Sequence, residues 1–216
     1  MSTGFGTGGL MTQDRSLVVV SAGISQPSST RLLADRLAAA TVEELAARGQ
    51  TATVTTIELR DLAHEVVNMT LTGFASGPLA DALAKIGAAD GLVAVTPVYT
   101  ASYAGLFKSF VDVLDKDALA GMPVLLGATG GTGRHSLVLE YALRPLFGYL
   151  HAGVVGTGVF AATDDWADGA GDDVKPLPER IRRAARELAE TVADREPARP
   201  AGLFDAVPSF GSLLEP

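Results

Sequence analysis

Hydrophobic and polar positions alternate between two periods along this chain. Leu17 to Val20 ("LVVV") is a short β-branched run, which predicts a buried strand. Leu33, Leu37 and Ala40 then share one face of a helix predicted from about Ser29 to Arg48, with Gly49 placed to stop it. Thr51 to Leu59 ("TATVTTIEL") alternates and reads as a second strand, at a sheet edge. Residues 60–77 read as loop. "PLADALAKIGAAD" reads as a short helix with Pro78 in its first turn.

The rhythm repeats. Leu92 to Thr96 is a third predicted strand, stopped by Pro97, and "AGLFKSFVDVL" is the helix after it. "MPVLLGAT" is a fourth strand. In "SLVLEYALRPLFGYL", Leu139, Leu143, Leu146 and Leu150 follow helical spacing, and Pro145 is expected to kink or split that helix. "GVVGTGVFA" is a fifth strand, and "PLPERIRRAARELAETVA" a last helix with Arg182, Arg183 and Arg186 toward solvent. Strands alternating with helices predict an α/β fold with a parallel sheet. Ligands of such sheets sit at the carboxyl ends of the strands. Three loops are placed there: Ser21 to Thr30, Thr96 to Gly105, and Ala128 to His135. They are also the most unusual stretches of the sequence.

Composition narrows the chemistry. The 216 residues carry a formal net charge of -8, which argues against nucleic acid as a partner. There is no cysteine, which excludes disulfides, thiolate metal sites and a cysteine nucleophile. His64, His135 and His151 lie far apart and show no metal-ligand spacing. No apolar run is long enough to span a membrane, and no signal peptide is evident, so a cytoplasmic protein is expected. Residues 1–15 are glycine-rich and read as a flexible tail, residues 16–196 as one domain, and residues 197–216 as a C-terminal extension. Phe204 and Phe210 in that extension either dock on the body or a neighbouring subunit, or belong to a frayed end.

The first loop, "SAGISQPSSTRLL", gathers hydroxyls at a helix mouth without lysine or histidine. A helix N-terminus attracts anions, and Ser28, Ser29 and Thr30 stand at its first turn with Ser25 and Gln26 on the approach. Either these groups grip a phosphate, or one of them is an ordinary N-cap and the rest face solvent. The dinucleotide and triphosphate glycine motifs are absent, so the loop suits one terminal phosphate monoester. In the second loop, Tyr99 and Tyr103 either edge a planar ring or pack within the loop. Lys108 and Asp112 read as a helix-surface pair. In the third, Gly130, Gly131 and Gly133 let backbone amides approach a flat ligand. His135 either donates to such a ligand or is structural. No nucleophile–base–orienter set is present, so a cofactor is expected to carry the reaction.

Taken together, "TPVYTASYAGLFKSFVDVL", "ATGGTGRH" and "YALRPLF" resemble the NADPH-dependent FMN reductases of the flavodoxin-like superfamily. The likeness is strongest to the flavin reductases of two-component alkanesulfonate and luciferase-like monooxygenase systems, and runs from about Leu17 to Ala162. The resemblance implies a flavodoxin-like doubly wound sheet of five parallel strands, order 2-1-3-4-5. It implies that Ser25, Gln26, Ser28, Ser29 and Thr30 hold the FMN phosphate. Pro97, Val98, Tyr99 and Ser102 would line the ring and ribityl chain, and Thr129, Gly130, Gly131 and His135 would approach from the other side. It also implies a homodimer or homotetramer, with Tyr141 to Leu150 at the interface. Many relatives carry an arginine where Gln26 stands, so weaker FMN retention is expected. The implied reaction is hydride transfer from NADPH or NADH to FMN, with reduced flavin passed to a monooxygenase partner. Arg134 and Arg144 are candidate anchors for a 2'-phosphate, though surface arginines are common. The rival readings are a quinone, azo or chromate reductase with tightly held FMN, a flavodoxin-type electron carrier, and a non-redox module that binds a phosphate ligand.

Overall fold

The computed structural model describes residues 14–166 and 176–196. The first 13 residues and the extension from residue 197, with Phe204 and Phe210, lie outside the described residues. Strand β1 spans Asp14–Ser21, helix α1 Ser29–Ala46, and β2 Thr51–Glu58. A 3-10 turn, Leu59–Leu62, leads into α2, Ala63–Thr72, then α3, Gly77–Gly87, and β3, Gly91–Tyr99. The short β4, Ser102–Tyr103, precedes α4, Gly105–Asp112, and β5, Pro123–Gly130. A π-helical turn, Leu139–Leu143, runs into α5, Arg144–Tyr149. Strands β6, Gly153–Val154, and β7, Val159–Ala162, come before α6, Leu177–Asp194.

The parallel sheet runs β2-β1-β3-β5-β6, with β7 also parallel to β5. Counting β6 and β7 as one interrupted fifth strand, this is the flavodoxin-like order 2-1-3-4-5. Side-chain alternation sorts the sheet into two cores. Val18, Val20, Leu92, Ala94, Val124 and Leu126 face the side covered by α2 to α5. Leu17, Val19, Val93, Val95 and Leu125 face α1 and α6. Strands buried on both faces explain why β1, β3 and β5 read as continuous apolar runs, while β2, at the edge, alternates.

Four departures from the sequence reading have physical causes. Residues 60–77, read as loop, contain α2. It buries only Val66 while Val67 and Leu71 are exposed, so no apolar period marks it. Its end is set by Gly73 in the left-handed region at φ 77°, whose N–H reaches the Met69 carbonyl. Pro97 does not stop β3, which continues to Tyr99. The Val95 carbonyl points toward β1, where it accepts from Ala22, so Pro97, two residues on, turns its missing N–H to the same side. Strand β1 has ended at Ser21, opposite Val95, so that missing donor has no partner to lose.

The expected split at Pro145 takes a specific form. Pro145 cannot donate to a carbonyl one turn back, and the preceding residues widen into a π turn in which the Arg144 N–H reaches Leu139. The single fifth strand of the sequence reading is interrupted between Val154 and Val159. Arg144 draws the carbonyls of Val155 and Gly156 at 3.1 and 3.0 Å, and Glu187 of α6 accepts from the Thr157 N–H and hydroxyl at 2.7 and 2.6 Å.

Strand β1 also begins before the expected domain start, and Arg15, read as part of a flexible tail, is 1% exposed. Its guanidinium donates to Gln50 and to the carbonyls of Ala193 and Arg195, and lies 3.8 Å from Asp90. Asp90 in turn accepts from the Ser16 N–H at 2.8 Å. The amino edge of the sheet is thereby tied to the end of α6.

Replacing Arg15 by alanine leaves a buried carboxylate and two carbonyls short of partners. It is expected to cost about 3–5 kcal/mol, read as a lowered urea midpoint. Acid acts on the interrupted strand. Burial pushes the Glu187 carboxyl up, but hydrogen bonds from Thr157 and Arg183 outweigh it, and its pKa falls below the ordinary 4.5. The hydrogen bond from Arg144 likewise lowers Glu140. Their stabilisation is therefore present above the ordinary value of 4.5 and disappears as falling pH protonates the folded carboxylates. Thermal unfolding across pH 5 to 3 should show a shallower decline for Glu187→Gln than for the wild type.

Candidate active site

All three loops leave the carboxyl edge because their strands are parallel and in register. Ser21 pairs with Val95, Thr96 with Ala128, and Pro97 with Thr129. The first loop turns from β1 into α1 through a cis peptide between Gln26 and Pro27. Ser28 is the N-cap: its hydroxyl accepts from the Arg31 N–H at 3.2 Å. The cap reading therefore holds for Ser28. Ser25, Gln26 and Ser29 are exposed, beside first-turn N–H groups that helix geometry leaves without partners.

Thr30 differs from the other hydroxyl residues. It is buried, and its Oγ1 lies 2.8 Å from Thr129 Oγ1. This side-chain bond joins the first loop to the third, so the Thr30 and Thr129 hydroxyls are engaged with each other. Gly23 shapes the cradle from the inside. A Cβ there would stand 2.0 Å from the Ser28 hydroxyl oxygen and 3.1 Å from Thr30 Cβ. Beneath the loop, the fully buried Ser21 hydroxyl has no hydrogen-bond partner among the described residues.

The second loop is a two-residue hairpin. Tyr99 pairs with Ser102 and Val98 with Tyr103, and the two turn residues have positive φ, 48° at Thr100 and 66° at Ala101. That is the turn type favoured between twisted strands, built here without its usual Asn-Gly. Thr96 ties the base: its hydroxyl donates to the Pro97 carbonyl and accepts from the Ala104 N–H, both at 3.0 Å. Pro97 is buried, Val98 and Ser102 are half-buried, and Tyr99 is 46% exposed. Lys108 and Asp112 form the expected surface pair at 2.5 Å, and hydrogen bonding to Asp112 raises the lysine pKa.

In the third loop the glycines have separate jobs. A Cβ on Gly130 would meet the Phe160 ring of β7 at 2.9 Å, so this glycine answers packing within the protein. Gly131 and Gly133 face open space. His135 is exposed, in a short 3-10 turn. The carboxyl edge is thus an open shelf walled by a capped hydroxyl turn, a hairpin and a glycine segment, with no enclosed cavity required.

Residues 16–167 match the sequence pattern of the family described as NADPH-dependent FMN reductase. The chain belongs to that family. It is 38% identical to the FMN reductase (NADPH) of Pseudomonas aeruginosa over 86% of this chain and 96% of that one. It is 37% identical to the NADH-dependent FMN reductase SfnE of Pseudomonas putida, over 81% and 91%. Among solved structures, an oxidoreductase from Corynebacterium diphtheriae superposes with a TM-score of 0.81 at 47% identity, covering 86% of this chain and all of that one. The NADH:FMN oxidoreductase EmoB in its apo form gives 0.71 at 30%, covering 86% and 94%.

The FMN of this family fits the residues present. Its phosphate monoester matches exposed hydroxyls and first-turn amides over a glycine that leaves no room for a Cβ, and its flat ring matches the open Gly131 segment. Sequence reasoning missed Thr96, whose hydroxyl was hidden in an apolar strand, and Arg60, which follows β2. Arg60 Nη1 lies 3.4 Å from the Ser25 carbonyl. Its sequence neighbours gave no hint of that contact.

Gly23→Ala should displace the Ser28 cap, destabilising the protein by about 1–2 kcal/mol and weakening FMN at least tenfold, as checked by denaturation and flavin fluorescence quenching. Thr100→Asn with Ala101→Gly should relieve left-handed strain and raise stability by about 1 kcal/mol, measured by the same denaturation.

Proposed function

We propose that this protein is a NAD(P)H-dependent FMN reductase of the cytoplasm, where its nucleotide substrates are held, and that it passes reduced flavin to a monooxygenase. The observation that carries this reading is the open shelf. A capped hydroxyl turn built over Gly23 suits a phosphate monoester, and the exposed Gly131 segment leaves a ring approachable from solvent. FMN, when bound, supplies the acceptor for a hydride delivered by the nicotinamide.

The chain's own groups bind and orient. Ser25, Gln26, Ser28 and Ser29, with the first-turn amides of α1, hold the phosphate end. Pro97, Val98, Tyr99 and Ser102 line one side of the ring and its chain. Gly131 and His135 face the other, with Gly131 offering a backbone N–H to developing negative charge, while Gly130 packs on Phe160. Thr30 and Thr129 act through their mutual bond, which sets the spacing of the two loops. No side chain is required as proton donor.

For the nucleotide, Arg144 is occupied by Glu140 and by the carbonyls of Val155 and Gly156, whereas Arg134 stands exposed in the glycine segment. Arg134 is thus the better anchor for a 2'-phosphate. Self-association is supported by exposed apolar side chains along this segment: Leu137 before the π turn, Tyr141 (79% exposed) within it and Tyr149 (81% exposed) at the end of α5. Burying these side chains suits a homodimer or homotetramer.

The purified protein should be colourless and should oxidise NADPH or NADH rapidly only when FMN is added. A yellow preparation that reduces quinones without added flavin would assign it instead to the quinone or azo reductases. A yellow preparation inert to both nucleotides would make it an electron carrier.

A further inference from the structure

Residues 21–30 carry no cation, and Arg31 after them is paired with Asp35 and Glu58, yet a flavin phosphate is a dianion. We infer that Arg60, contributed by the segment after β2, is the residue that makes this site select phosphorylated flavin over riboflavin. The inference rests on the FMN reading above.

Arg60 reaches the turn from outside it. Nη1 lies 3.4 Å from the Ser25 carbonyl. The Gln26 side-chain oxygen, in the orientation that satisfies both groups, accepts from Nη1 and Nη2 at 2.7 and 2.8 Å. Nη2 also meets Glu58 at 2.8 Å. Nε is buried without a hydrogen-bond partner among the described residues, and lies 3.5 Å from the Asp61 carboxylate. The other oxygen of Glu58 takes Arg31, in the first turn of α1, at 2.6 Å.

One carboxylate therefore joins two guanidiniums at the mouth of α1. The cluster holds two cations, Arg60 and Arg31, and three carboxylates, Glu58 between them and Asp61 and Asp35 outside. Asp61 and Asp35, the outer carboxylates, have side chains 71% and 48% exposed, where water and salt screen them. The Arg60 guanidinium lies against the Ser25 carbonyl and the Gln26 side chain, the residues on the approach to the first turn, and its paired carboxylate Asp61 is the most exposed of the three. The Ser25 carbonyl and the Gln26 side chain hold the Arg60 guanidinium in place independently of Glu58. A charge delivered from the 3-10 turn after β2 also leaves the hydroxyl turn short and neutral, so the ribityl chain and ring meet only hydroxyl and amide groups. Arg60 is a positioning and selectivity residue; it has no part in hydride transfer.

The test compares two ligands that differ only in the phosphate. Fluorescence quenching gives Kd for FMN and for riboflavin with the wild type, Arg60→Gln, Arg60→Lys and Glu58→Gln. Arg60→Gln should weaken FMN at least tenfold while changing riboflavin less than twofold. Arg60→Lys should recover most of the FMN affinity, because it keeps the charge. Raising salt should narrow the FMN-to-riboflavin preference in the wild type more than in Arg60→Gln. Should Arg60→Gln not fold, Glu58→Gln decides: removing the carboxylate should tighten FMN at least threefold and leave riboflavin unchanged. Equal losses for both flavins in Arg60→Gln, or no loss for FMN, would overturn the role of Arg60 while leaving the FMN reading intact. No tightening of FMN in Glu58→Gln would overturn it equally. Wild-type protein that binds neither flavin would overturn the inference together with the reading beneath it.

Discussion

Parallel pairing of β1, β3 and β5 in one register is the constraint on which the rest of the molecule depends. Ser21 opposite Val95, and Pro97 opposite Thr129, place three chain reversals at one edge within reach of a single ligand. No loop has to travel to find the others. The price of this arrangement is a sheet buried on both faces, met by two separate apolar layers, α2 to α5 on one side and α1 with α6 on the other. The polar edges need their own closure. At the amino edge Arg15 does this by binding the last turn of α6. At the carboxyl edge the Thr30–Thr129 bond does it.

Much of this was legible in the order of residues. The β-branched runs and helical periods gave the strand order through the family resemblance, and the three unusual loops pointed to the right edge. What was hidden has a common cause: it depends on contacts between residues far apart in sequence. Arg15 looks like part of a polar tail until Ala193 and Arg195 are brought to it, 178 and 180 positions away. Thr30 looks like a fourth phosphate hydroxyl until Thr129 arrives. Gly130 looks like ligand clearance until Phe160 fills the space. Helix α2 was hidden for the opposite reason, since it buries a single side chain and leaves no apolar period to read.

Backbone rules also bend locally where nothing is lost by it. Proline is tolerated inside β3 because the neighbouring strand has already ended on the side where its donor is missing. A second proline, in the helix after β5, opens a wider turn. That turn presents Arg144 to the gap between β6 and β7, where two carbonyls released from the sheet take up the guanidinium. The interruption of the fifth strand and the irregular helix are therefore two ends of one arrangement, linked through Arg144 and Glu140 and closed from α6 by Glu187.

The bond between Thr30 and Thr129 makes the first loop and the glycine segment neighbours in space, and should couple them in inheritance. Each hydroxyl is buried and, among the described residues, has only the other to satisfy it, so losing one orphans its mate. Lineages that drift at one position should drift at both, and directed evolution of flavin affinity should recover paired exchanges to two apolar residues more readily than either change alone.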